Sequence, residues 1–569
     1  MRAAAFYLAL GALTLLLASA PYLWGWLVAL PPGHVYPGFP PQNIDDTAVY
    51  FAWMRQAEDG RFFLRNQFTT EAQQGVLFNL FFWLLGSAAR VFHLSLSTVF
   101  HGARVVCGGL LLWAVAGLIR ETLAEERARR IAFALVCVGS GLGCLWAGMG
   151  LDTPGIEKPV DLWQPEAITF PSIYMTPLFP AALALMVVFF AALLRAERTG
   201  RTRDVWPAAL AGALLGNFHS YDVIHLFAVA GAYRIVADIA ARRIDRGGWT
   251  RLILAGLATL PTTAYQYWAL RVEPVFQERA LVPTLNVSPH WLLLGFGVPG
   301  LLAMGMIAAS SRVRRGGFFV DDTALRLLCT WAVIGIAVSY APVSFQRKML
   351  MGAHLPICLL AGAALAGLTA RLTGSLPRIA VAGVVLITTL SNLWFLVRDV
   401  VRINGNISAT PHRPFLSRAE SDALRWLRDN TRPGDAVLVG PDPTSHRRFP
   451  FNPLYPHLSV YVPALAGNAV YNGHWGETGQ RFGQTLADMG RFFHAGGDDD
   501  FRRRLLRDAG IRYVLCVNAL AGTTLELLRE DGGVQTYAAV SWPVSSPPPP
   551  FLSVAYANRE ITICRVVSP

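Results

Sequence analysis

The sequence predicts a polytopic α-helical membrane protein, with about eleven transmembrane helices and a C-terminal extracytoplasmic α/β domain. Three observations predict it. The chain is 53% hydrophobic and 15% charged, with a mean hydropathy of +0.39 over 569 residues, too apolar for a soluble globular protein. Apolar runs of spanning length alternate with short arginine clusters as far as residue 402. From residue 403 onward the pattern changes to amphipathic helices and short apolar strands. These divisions give two domains, a membrane module over 1–402 and a soluble domain over 403–569.

The formal charge of +12 would point to nucleic acid if the basic residues clustered on one soluble face. They fall instead between apolar runs, where they orient helices in a bilayer, so no nucleic-acid partner is expected. Only Lys158 and Lys348 are lysines, a composition that fits a GC-rich bacterial genome and says nothing about chemistry. The expected location is the bacterial cytoplasmic membrane.

Residues 4–30 form an apolar run opened by Arg2. Ala18-Ser19-Ala20 resembles a signal-peptidase site, but Pro21 follows and the run continues, giving an uncleaved first span. Residues 31–100 form a first external loop that holds Asp45-Asp46, an aromatic run and a polar patch at Asn66 to Gln74. Its segment 76–92 contains Gly86 and Arg90 and reads as interfacial helices. Further spans fall near 103–119, 131–150, 178–194, 205–219, 221–240, 251–270, 290–310, 324–340, 350–370 and 377–397. Every second connection is then basic: Arg120 to Arg130, Arg195 to Arg203, Arg242 to Arg251, Arg312 to Arg315 and Arg371 to Arg378. If 76–92 crossed the membrane, all of these would move outside, so the N-terminus is placed in the cytoplasm. Asp45-Asp46 and the C-terminal domain are then extracytoplasmic.

In the C-terminal domain, Ser417-Arg418-Ala419-Glu420 fits a capping box opening a helix through Leu427. Strands are expected at 436–439, 512–517 and 561–564, and Pro547 to Pro550 form a stiff loop. Cys107, Cys137, Cys144, Cys329 and Cys358 lie in apolar runs as small hydrophobes. Cys516 and Cys564 would be able to pair in an oxidising compartment, although two buried strand cysteines are the simpler reading.

Four constellations carry chemistry. Asp45 and Asp46 are adjacent carboxylates beside a membrane, which usually face water, a cation or a substrate; capping a helix over 47–57 is the plainer alternative. Arg347-Lys348 puts two positives on an otherwise charge-poor side, with His354 one to two turns deeper. Asn217-Phe218-His219-Ser220-Tyr221-Asp222, with His225, interrupts the apolar pattern where non-helical backbone normally lines a cavity. His219 and Asp222 are its candidate substrate or metal contacts. In Tyr471-Asn472-Gly473-His474-Trp475-Gly476-Glu477-Thr478, His474, Trp475 and Glu477 are side chains that bind sugars; a structural turn with Trp475 in the core is the alternative.

This layout resembles the GT-C glycosyltransferases, membrane enzymes that take sugars from polyprenyl-phosphate donors, with a mannosyltransferase- or aminoarabinose-transferase-like arrangement. Neither the Asp-Glu pair of protein mannosyltransferases nor a Trp-Trp-Asp-type motif of oligosaccharyltransferases is present. The resemblance implies a lipid-linked sugar donor, an unspecified glycan, lipid or protein acceptor, and contact with membrane lipids. It implies that Asp45 or Asp46 is the catalytic base or a ligand of a divalent cation such as Mg2+ or Mn2+. Asp45, first after the loop turns back to the membrane, is favoured as the base. Arg347 and Lys348 would grip the donor phosphate, with snorkelling to headgroups as the alternative. A secondary transporter and a non-catalytic assembly protein of the same fold are the other classes. The first lacks support from any inverted repeat.

Overall fold

The structure is a computed structural model describing residues 2–150, 157–310, 317–443, 455–528 and 534–567. It divides into two compact units. One comprises Met1–Ala20, Phe100–Trp268 and Pro283–Arg398; the other comprises Pro21–Val99, Ala269–Val282 and Asp399–Pro569.

Among the described residues, eight helices are long and apolar enough to cross a membrane. They are Ala4–Leu27, Leu96–Thr122, Leu178–Thr199, Asp222–Ala241, Pro289–Ala308, Asp322–Tyr340, Gln346–Thr369 and Leu376–Asn404. The other three predicted spans are also helical but differ in kind. Residues 205–219 become Trp206–Phe218, whose 13 residues reach only about 20 Å at 1.5 Å per residue. Residues 251–270 lie within Arg246–Val272, where Arg251, Thr259 and Gln266 are buried. Residues 131–150 break after the helix Glu126–Val138.

Side chains from distant segments bond the backbone at that break. Asn392 Nδ2 donates to the carbonyls of Val138 (2.8 Å) and Gly139 (3.2 Å), and Ser391 Oγ to that of Gly141 (3.3 Å). The Gly143 amide donates to Asp161 Oδ2 at 3.0 Å. Irregular backbone at this depth survives only with such partners. In the first unit's core, His354–Thr369 is buried nearly end to end. A Cβ on its Gly362 would lie 2.7 Å from the Ala132 backbone, so a glycine is what lets this helix and Glu126–Val138 close together.

The basic connections are bonded to one another. Arg195 pairs with Glu121 at 2.5 Å, and Arg198 reaches the Glu121 carbonyl (2.8 Å) and Asp321 (2.6 Å). Arg251 donates to the Gly200 carbonyl at 3.2 Å, and Arg127 to Thr369 Oγ1 at 2.7 Å. They therefore gather at one end of this unit. The predicted cluster Arg312 to Arg315 lies outside the described residues.

The second unit is built on a mixed five-stranded sheet, ordered Ala469–Val470, Ala436–Val439, Ile511–Val517, Ile561–Val566 and Leu552–Ala557. The first three strands are parallel and the last two antiparallel to their neighbours. One face covers a core of Leu438, Phe492, Phe493, Val514, Trp542 and Phe551. All three predicted strands are present. The capping box is formed as read, Ser417 Oγ accepting from Glu420 N at 3.0 Å and Glu420 accepting from Ser417 N at 2.8 Å. Cys516 and Cys564 are buried on adjacent strands as free thiols.

Within 76–92, the helix Leu80–Phe92 has 13 residues, too short to span a hydrocarbon core of about 30 Å. It packs on the helix Ile44–Glu58; a Cβ on Gly86 would meet the Met54 carbonyl at 2.2 Å. This contact fixes the helix that carries the acidic pair.

Candidate functional site

The acidic pair does not cap its helix. Asn43 is the N-cap of Ile44–Glu58, its Oδ1 accepting from the Asp46 amide at 3.2 Å and its Nδ2 donating to Asp46 Oδ2 at 2.6 Å. Asp45 and Asp46 therefore occupy the first turn, a position that suits negative side chains. Their side chains differ in exposure: 4% for Asp45 and 47% for Asp46. Sequence position favoured Asp45 as the base; burial makes Asp46 the carboxylate open to a reactant.

Each carboxylate faces a histidine from the C-terminal segment. Asp45 Oδ1 lies 3.3 Å from His412 Nε2, and Asp46 Oδ1 lies 3.4 Å from His474 Nε2. The two rings are held differently. His474 Nδ1 accepts from the amides of Gly476 (2.9 Å) and Glu477 (3.1 Å), which leaves Nε2 to carry the proton aimed at Asp46. Burial disfavours its charged form, but Asp46, Asp45 and Glu477 outweigh burial and raise its pKa. His412 Nδ1 sits 2.7 Å from the His457 carbonyl and donates to it, so a neutral His412 turns a lone pair toward Asp45. Burial lowers the pKa of His412 although Asp45 pulls the other way. Asp45 Oδ1 and His412 Nε2 thus face each other as two buried acceptors, neither with a hydrogen-bond partner among the described residues.

The sugar-binding candidates of 471–478 have mixed fates. Trp475 is half-buried and stacks on His474 with centroids 5.6 Å apart, so it is not a core tryptophan. Glu477 is buried and paired with Arg279 at 2.8 Å, so one of its oxygens serves the fold. The loop is wedged onto 66–69: Thr478 Oγ1 donates to the Phe68 carbonyl at 2.7 Å, and a Cβ on Gly473 would lie 2.7 Å from Phe68. Asn66 Nδ2 donates to the Glu477 carbonyl at 2.8 Å. The polar patch of the first loop therefore seats the 471–478 turn beside the acidic pair.

The first unit holds the remaining candidates. The chain breaks between Trp206–Phe218 and Asp222–Ala241, as the sequence indicates, and His219 Nδ1 lies 3.0 Å from the fully buried Asp222. Lys348 Nζ sits 4.7 Å above the Tyr221 ring, bringing the Arg347-Lys348 motif to this break. Arg347 lies over Trp163 at 5.2 Å, and Gln164 Nε2 pins its carbonyl at 2.9 Å. Among the described residues neither cation has a carboxylate partner within ion-pair distance. His225 and His354 are bonded within the fold: His225 to the Met349 carbonyl (2.8 Å) and Trp331 Nε1 (3.1 Å), and His354 to Thr169 Oγ1 at 2.9 Å.

A divalent cation finds a partial fit. Among the described residues no three His, Cys, Asp or Glu side chains converge on one point, so there is no closed cage. The facing Asp45 Oδ1 and His412 Nε2 form a two-donor face of the kind that an ion completed by water and phosphate oxygens uses.

No family model matches the sequence, and no curated protein does. Solved structures match across nearly the whole chain. The archaeal oligosaccharyltransferase AglB from Archaeoglobus fulgidus, in complex with an inhibitory peptide and a dolichol-phosphate, aligns with a TM-score of 0.53 at 12% identity. It covers 94% of this chain and 74% of that one. The apo form of the A. fulgidus oligosaccharyltransferase gives the same score over 95% and 75%. A third, complexed with Zn and sulfate, scores 0.51 over 92% and 73%. The chain has the GT-C fold. Along the chain, the helix with the acidic pair follows the first apolar helix, and the five-stranded sheet is built from residues near the C-terminus. Within this GT-C fold the sequence reading missed His412, Arg279 and Asn43. His412 is flanked by Pro411 and Pro414, a stretch that reads only as a linker, and no spacing ties it to Asp45.

Proposed function

We propose that the chain is a membrane glycosyltransferase of GT-C type, moving a sugar from a polyprenyl-phosphate donor to an acceptor on the extracytoplasmic face. The observation that carries this reading is the acidic pair, held in a first helical turn and faced by His412 and His474. Asp46, the exposed carboxylate, takes the proton from the acceptor nucleophile as the acceptor attacks the anomeric carbon and the sugar–phosphate bond breaks. The lipid phosphate leaves as an anion, and Arg347 and Lys348, set on the faces of Trp163 and Tyr221, are assigned to it. His474 holds Asp46 in place, and the half-buried Trp475 stacked on it is assigned to contact a sugar. If bound, a divalent cation such as Mg2+ or Mn2+ would be held by Asp45 and His412 and would neutralise phosphate charge. Residues 403–569 are the extracytoplasmic domain of this reading. Purified protein turning over a polyprenyl-phosphate sugar tests it directly; absence of transfer with every such donor and acceptor class would remove it.

Two results follow from the assignments. Arg347→Ala weakens donor binding by about 10- to 100-fold, the loss of one charge-assisted contact, and leaves acceptor binding nearly unchanged. Unchanged donor affinity would leave Arg347 as a headgroup anchor. For orientation, Ala72→Cys and Asp422→Cys, at exposed positions, are labelled by a membrane-impermeant thiol reagent in intact cells, while Arg127→Cys is protected. Labelling at position 127 would reverse the topology.

A further inference from the structure

One end of the five-stranded sheet carries a charged pocket of about 720 Å3 that the transfer reaction does not use. Arg432, Arg512 and Arg565 line it, with Asp435, Tyr513 and Ser553. The topology explains their meeting. Tyr513, Arg565 and Ser553 are register partners on three adjacent strands. Arg512 is the extra residue of a β-bulge, since Ala436 pairs with Ile511 and the next residue, Val437, with Tyr513. Bulges re-aim side chains, and this one leaves Arg512 exposed between two buried neighbours.

Arg432 comes from the turn before Ala436–Val439, and that turn is rigidly built. The Arg432 amide donates to Asp435 Oδ2 at 2.9 Å, and the Asp435 amide donates to the Arg432 carbonyl at 3.0 Å. The buried Asn468 Nδ2 donates to Thr431 Oγ1 at 2.7 Å and approaches the Arg432 carbonyl at 3.4 Å. Arg61 ties the turn down further, its Nη2 donating to the Pro433 carbonyl at 3.0 Å.

None of the three arginines has an ion-pair partner among the described residues; the one acid in the pocket, Asp435, already uses an oxygen on the Arg432 amide. Like charges at one mouth repel, and guanidinium forks match oxyanions bidentately. We propose that this pocket binds a small polyanion bearing phosphate or carboxylate groups. The site is separate from the acidic pair and does not depend on the transferase reading.

Titration of the full-length protein in detergent with inorganic pyrophosphate, at low salt, tests it. Saturable binding is expected, weakened about tenfold in Arg512→Gln or Arg565→Gln and about 100-fold in the double variant. Arg347→Ala retains this binding, which separates the pocket from the assigned donor-phosphate site. Thermal melting checks the fold, and Arg432→Gln serves should the double variant not fold. Displacement by glycerol 3-phosphate would assign the site to lipid headgroups and displacement by glucose 1-phosphate to phosphorylated sugars; each supports the site. No saturable pyrophosphate binding, or equal affinity in the double variant, overturns it.

Discussion

Asp46→Asn lowers transfer by about 10²–10⁴-fold, the usual contribution of a general base, while folded yield and melting temperature fall only slightly. Asparagine keeps the size of the side chain but loses the capacity to take a proton, and with one oxygen in place of two it accepts from only one of Asn43 Nδ2 and His474 Nε2. The backbone cap is retained because Asn43 Oδ1 bonds the residue-46 amide, so the loss in stability is limited to about one side-chain hydrogen bond, about 1 kcal/mol. Asp45→Asn behaves differently. Its Oδ1 faces the His412 lone pair at 3.3 Å, and an amide in that place donates a hydrogen bond to it. Asp45→Asn is therefore structurally benign and lowers turnover through lost charge, with a smaller effect than Asp46→Asn. Measuring turnover and melting for both variants orders the two roles. Full activity in both would take the acidic pair out of the site altogether.

The helical architecture was legible because apolar length and arginine placement are local signals, and the capping box of Ser417 and Glu420 was legible for the same reason. Where reading stopped, tertiary chemistry decided. Residues 131–150 count as one apolar run, yet Gly139-Ser140-Gly141 breaks because Asn392 and Ser391, some 250 residues on, supply its hydrogen bonds. Likewise Asp45 and Asp46 were found as a motif, but their difference in burial comes from partners more than 360 residues away in the chain. Glu477 looked like a sugar ligand because nothing near it in sequence shows that Arg279 claims it.

That ion pair carries the second large effect. Glu477 is 3% exposed and Arg279 29%, so the carboxylate has left water while its partner keeps a foothold in it. Arg279→Ala strands a buried charge; breaking a fully buried pair costs about 3–5 kcal/mol, and partial exposure of the arginine brings the expected loss to about 2–3 kcal/mol. Arg279 also lies 5.9 Å from the Trp53 ring, so part of the loss is packing. The double variant Arg279→Ala/Glu477→Gln should recover most of the electrostatic part, since a neutral amide no longer needs a counter-charge. Melting temperatures of the two variants and the parent check this. The alternative, in which Glu477 serves a sugar instead of the fold, predicts the opposite pattern: Arg279→Ala melts normally, and Glu477→Gln alone weakens substrate binding without touching stability.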